Sequence, residues 1–178
     1  MGQPDVSPRS TARVAIAAAL LGILPLGLNA QQPAATAFER LKSLAGEWVD
    51  LDGALGKQGQ VAVTYRVTGA GSAVVETLFA GTPHEMVTVY HKDGSDLVLT
   101  HYCAAGNQPR MRARAADGNR IVFQFDGGSN LDPAKDGHMH DGWIEFVNEH
   151  EVRAQWNGWA NGKPSAHSPR FHLSRKRG

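Results

Sequence analysis

His138 and His140 stand two apart, and on a β-strand that spacing sends both rings to one face. With His101 from a neighbouring strand they would make three imidazoles of the kind that hold zinc or iron, or copper. Glu76 or Cys103 could complete the set, and a metal there would polarise a carbonyl or activate water. The same histidines are also compatible with polar lining of a pocket. A surface position is a third reading, because Asp136 and Asp141 flank the pair.

A second constellation, Glu76, Tyr90, His101, Cys103 and Asn107, would orient a small ligand rather than a metal. A carboxylate at Glu76 that faces inward needs a partner, since an isolated buried charge is costly. Cys103 reads either as a small buried hydrophobe or as a nucleophile with His101 as its base. Asn107 lies in a Gly-Asn-Gln-Pro turn, where its side chain either bonds the turn or rims a pocket mouth. Trp48, Trp143, Trp156 and Trp159 read as packing rather than ligand stacks. There is no phosphate-cradling glycine loop, no Gly-x-Ser-x-Gly elbow and no Cys-x-x-Cys, so the commonest signatures of enzyme classes are missing.

Strands must carry these groups. Val61, Val63, Tyr65 and Val67 alternate with Ala62, Thr64, Arg66 and Thr68, and the same period of two continues in short runs to Ser174. Turn signals separate the runs: Gly69-Ala70-Gly71, Gly81-Thr82-Pro83, Asp93-Gly94, Gly106-Asn107, Asp117-Gly118 and Asn161-Gly162. Residues 127–137 read as the longest loop. The pattern predicts an all-β fold, one antiparallel up-and-down barrel of about ten strands, because closure removes the exposed edges of a meander.

Register follows from the turns. If 93–96 turn tightly, Lys92 meets Leu97, and Met86, Thr88 and Tyr90 share a face with Leu99, His101 and Cys103. Met111, Ala113 and Ala115 then join that face, leaving Arg110, Arg112 and Arg114 in solvent. Glu76 and Leu78 fall on the same inner face. So do Ile121, Phe123 and Phe125, if the turn before them has three residues.

Before the strands, Thr36 and Glu39 have capping-box spacing, and Phe38, Leu41 and Leu44 recur at helical spacing up to Gly46. A helix of two to three turns with that apolar stripe would cover one end of the barrel. Residues 1–30 read as a secretory signal: Arg9 and Arg13, a short apolar run from Val14 to Leu28, and Ala30 at the cleavage point. The mature domain would span 31–178, in the periplasm or secreted, without a membrane anchor. The single cysteine, Cys103, leaves no internal disulfide and no lipid-bearing cysteine after the cleavage point. The chain has 18 basic and 17 acidic residues; without Arg9, Arg13 and Asp5 the two counts are equal. A neutral domain has no electrostatic footprint for nucleic acid, and Arg175-Lys176-Arg177 reads as a solvated tail.

The strings LKSLAGEW, YRVTGAGSAVVETLFAGTPHEMVTVYH, LTHYCAAGNQPRM and FDGGSNLDPAKDGHMH resemble a group of exported lipocalin-like bacterial domains of unknown function. The likeness covers about residues 38 to 176 and implies a calycin-type barrel. A more distant resemblance is to nitrobindin-like haem barrels. Gly46 and Trp48 match their opening, but Asp50 and Asp52 stand where later glycines belong. That resemblance would imply haem held by a histidine near the C-terminal end, where His172 fits only loosely. Together these readings predict an exported protein that binds a small, partly apolar molecule. A metal-binding protein or metal-dependent enzyme is one alternative, and an interaction module with a filled barrel is the other.

Overall fold

The computed structural model describes residues 1–2, 34–53 and 58–177; beyond its first two residues, the expected leader lies outside them. A helix, α1 (Ala34–Lys42), precedes the strands β1 (Gly46–Asp50), β2 (Val61–Thr68), β3 (Ala73–Leu78), β4 (Met86–Asp93), β5 (Asp96–Tyr102) and β6 (Gln108–Asp117). They continue with β7 (Arg120–Ser129), β8 (His138–Asn148), β9 (Glu151–Ala160), β10 (Lys163–Pro164) and β11 (Arg170–Arg175). Each strand from β1 to β9 pairs antiparallel with the next, and β11 joins β9 to β1, so ten strands close into an up-and-down barrel. The two-residue β10 pairs with the part of the β9 edge that β11 does not reach. This closed antiparallel barrel, with one short α-helix among the described residues, has the lipocalin-like architecture that the alternation and turns predict.

Local sequence explains the register. Lys92 pairs with Leu97 and Tyr90 with Leu99, as a tight turn at 93–96 requires. Leu99 pairs in turn with Met111, and both are fully buried. On the opposite face, Arg110 and Arg112 form ion pairs with Asp93 and Asp126, and Arg112 also reaches Asp96. The β6–β7 turn corrects one expectation. It has two residues, Gly118 and Asn119, since Asp117 pairs with Arg120. A bulge between Ala113 and Ala115 supplies the extra residue instead, so Phe123 still stands opposite Ala113 on the core face. Strand β7 also runs to Ser129, into the expected loop. Gly128 permits this: a Cβ there would lie 2.9 Å from the Gln108 carbonyl oxygen and 3.1 Å from Pro109 Cα.

The helix closes one end. Ala37, Phe38, Leu41 and Leu44 form the stripe and are at most 2% exposed. Burial of each large side chain contributes roughly 1.5–3 kcal/mol. The helix begins at Ala34, so Thr36 lies inside it rather than at its cap, and Glu39 pairs with Lys42 at 2.9 Å instead of reaching back. The chain then turns at Gly46, whose φ of +130° favours glycine. Trp48 is fully buried and donates its indole N–H to the Leu44 carbonyl at 2.7 Å.

Arg175 locks this end rather than lying in a solvated tail. Its guanidinium donates to the carbonyls of Ser43 and Ala45, each at 2.7 Å, and sits 4.5 Å from the centre of the Trp48 ring. A cation on the carbonyls just past a helix C-terminus is favoured by the helix dipole as well as by the bonds. Lys176 pairs with Glu47 at 2.7 Å. Arg40 ties the helix to the β6–β7 turn through the Gly118 carbonyl, also at 2.7 Å.

Candidate ligand-binding site

Above the plug the barrel is hollow. A cavity of about 560 Å³ opens toward the other end, where the loops 79–85, 103–107, 130–137 and 161–169 lie. Its wall is largely apolar: Leu78, Met86, Leu99, Met111, Trp156 and Phe171 are among its residues. Trp156 owes its place to Gly142 on the paired strand β8, because any Cβ at Gly142 would collide with the indole. Phe79, also on the wall, is held at a φ of +54°, a left-handed conformation costly for a bulky residue. Two bonds from Thr82 fix the Phe79 carbonyl there, one from the backbone N–H at 3.1 Å and one from the hydroxyl at 2.8 Å.

One level of the barrel carries a row of polar groups. Tyr65 on β2 pairs with Glu76 on β3, Glu76 with Thr88 on β4, and Thr88 with His101 on β5. All four are at most 8% exposed, and Glu76, Thr88 and His101 line the cavity. The hydroxyls converge on the carboxylate. Tyr65 donates to Glu76 Oε1 at 2.8 Å, and Tyr90, two residues beyond Thr88 on β4, donates to Oε2 at 2.7 Å. Thr88, the cross-strand neighbour of Glu76, meets His101 Nδ1 at 3.0 Å.

Burial governs the charges in this row. It raises the Glu76 pKa, against the three hydroxyl bonds that lower it. It also holds Tyr65 and Tyr90 well above their ordinary value, with the nearby carboxylate adding to the effect. It pushes His101 down to about 4, so this imidazole is neutral at pH 7. Sequence reasoning placed Glu76, Tyr90 and His101 here. It missed Tyr65, and it put Thr88 on the inner face without its role as the link between carboxylate and imidazole.

The remaining predicted residues are distributed differently. Cys103 lies on the cavity wall, half-buried. Asn107 does not line the cavity: it donates its amide to the Gly137 carbonyl at 2.8 Å and staples two mouth loops together. Trp156 and Trp159 line the cavity, Trp48 packs in the core at the helix end, and Trp143 lies beneath the Arg120 guanidinium at 4.1 Å.

The three-histidine metal set is not formed, and among the described residues no group of three His, Cys, Asp or Glu side chains is placed to hold a metal ion. The reason is a bulge between Met139 and Asp141, which takes His140 out of the strand alternation. His140 is clamped between Phe125 and Trp159, with ring centres 4.6 Å and 4.0 Å away and nearly parallel planes. Its Nδ1 lies 3.0 Å from His138 Nε2, and His138 Nδ1 meets the Asp136 carbonyl at 2.9 Å. The carbonyl accepts only, so the His138 Nδ1–H donates to it and the His140 Nδ1–H donates to His138. The two rings thus engage with each other the nitrogens that a shared metal would require. Desolvation, and then the neighbouring His138, lower the His140 pKa.

The loosely placed haem ligand fares no better. Neither nitrogen of His172 is free: Nδ1 lies 3.2 Å from Asp52 and Nε2 2.8 Å from Glu151, and the ring is not on the cavity wall. Compared with known proteins, the chain matches no protein-family model and no curated sequence.

Proposed function

We propose that this protein is an exported carrier that holds one small, partly apolar molecule in its barrel. What carries this reading is the cavity of about 560 Å³, enclosed by apolar side chains and closed at one end by the helix. That volume is within the range of small-molecule sites, and a few convergent polar groups in an apolar wall are how such sites fix orientation. Glu76 and His101 are those groups, with Thr88 between them. The hollow interior favours this reading over a filled barrel that acts only through its outer surface. Kinship with the exported lipocalin-like group, resting on the strings it resembles, and export through residues 1–30 belong to the same proposal.

Native mass spectrometry of the protein purified from the cells that make it tests the reading. The expected result is a mass excess of one small molecule, released on denaturation and identified in an organic extract. Only the mass of the bare chain, with nothing in the extract, would count against it.

A further inference from the structure

The carrier reading leaves the chemistry of the ligand open, and the polar row narrows it. We infer that the cavity takes molecules whose polar end donates hydrogen bonds, a neutral or cationic N–H or O–H group, and rejects anionic amphiphiles.

Donors and acceptors in the row are unequally committed. The hydroxyl protons of Tyr65 and Tyr90 both go to Glu76, and Thr88 and His101 Nδ1 share a bond of 3.0 Å. At Glu76 what remains for a ligand is acceptors, the unused lone pairs of the carboxylate. His138, on the wall nearer the mouth, has its Nδ1–H on the Asp136 carbonyl and its Nε2 occupied by His140. The other polar side chains of the wall, Cys103, Ser165 and His167, are half-buried or exposed.

Charge points the same way. Among the described residues, no lysine or arginine lines the cavity. The hydrogen-bond partners of Glu76 are hydroxyls, with no cation beside it. A ligand carboxylate or phosphate would therefore face a buried carboxyl group with no counter-ion, a costly arrangement. An ammonium or a neutral donor would instead complete the carboxylate's bonding. Trp156, Trp159 and Phe171 offer ring faces that suit both an apolar body and an adjacent positive charge.

The inference rests on the carrier reading, and one calorimetric series separates the two. Three probes share a naphthalene body and differ at the polar end: 2-(1-naphthyl)ethylamine, 2-(1-naphthyl)ethanol and 1-naphthylacetate. The amine and the alcohol are expected to bind at one site, with the acetate weaker than either by about tenfold or more, the scale of one charge-assisted hydrogen bond. Glu76→Gln keeps the shape of the side chain and is expected to remove most of the amine's advantage. The wild-type ranking needs no variant and stands even if that substitution unfolds the protein. Acetate binding as tight as the alcohol, or an amine preference unchanged in a folded Glu76→Gln protein, overturns the inference while leaving the carrier reading intact. If none of the three probes binds, both fall.

Discussion

At the helix end of the barrel, Phe38, Leu41, Leu44 and Trp48 are buried to within 2% of completely, and Arg175 ties the helix exit to the last strand. At the opposite end, Phe79 sits in a strained conformation and His167 is exposed, and three rings stack beside a cavity that stays open. One end joins apolar surfaces and satisfies its carbonyls; the other leaves volume unfilled. Unfilled apolar volume costs stability, because the atoms lining it lose contacts. A barrel of this kind is stabilised at its closed end and keeps its chemistry for the open one.

Substitutions at each end sharpen that contrast. Leu41→Ala removes a fully buried side chain from the plug and is expected to cost about 2–5 kcal/mol in urea unfolding. A loss below about 1 kcal/mol would mean that the helix is not part of the core.

In the row between the two ends, His101 by itself sets a pH dependence of about 3 kcal/mol. His101 titrates near its ordinary value when unfolded and at about 4 when folded. Between those values the unfolded chain takes up the proton and the folded one does not, so stability falls as the pH drops from about 6.5 to about 4, by ~3 kcal/mol. Glu76 acts with the opposite sign: its raised folded pKa means stability is lost as the pH rises above its unfolded value. Urea unfolding from pH 7 to pH 4 measures the sum, and His101→Gln is expected to remove the descending part. An unaltered slope in that variant would place the titration elsewhere.

The smallest effect belongs to the mouth. His140→Ala loses two ring stacks and one hydrogen bond in a half-exposed site, for an expected cost under about 1.5 kcal/mol. Trp159 fluorescence should nevertheless shift, since its stacking partner is gone. A cost as large as that of Leu41→Ala would erase the distinction between the ends.

Strand count, closure and most of the inner face were legible because side-chain alternation and two-residue turns fix register from neighbour to neighbour. Glu76, Tyr90 and His101 followed from that arithmetic. The link Tyr65–Glu76–Thr88–His101 did not, because it depends on which side chains meet across three ladders at one height. Bulges were not legible either. The extra residues at Arg114 and His140 carry no distinctive side chain, yet one of them restores the core register and the other dissolves the expected metal set. The end of β7 was hidden by Gly127 and Gly128, which signal a turn, whereas here Gly128 permits close strand approach. Arg175 looked like tail charge because its carbonyl partners lie more than a hundred residues away in sequence.

The central claim is that the barrel interior is a binding site, and filling it is the most direct test. Met86 lines the cavity and is half-buried, so Met86→Trp adds bulk there without removing a fully buried group. N-phenyl-1-naphthylamine, a neutral dye that brightens in apolar surroundings, is titrated into the wild type and into this variant, each first checked for cooperative unfolding. The account predicts saturable one-site brightening with the wild type and its loss in a folded Met86→Trp protein. Absence of saturable brightening in the wild type, or equal binding by both proteins, would contradict it.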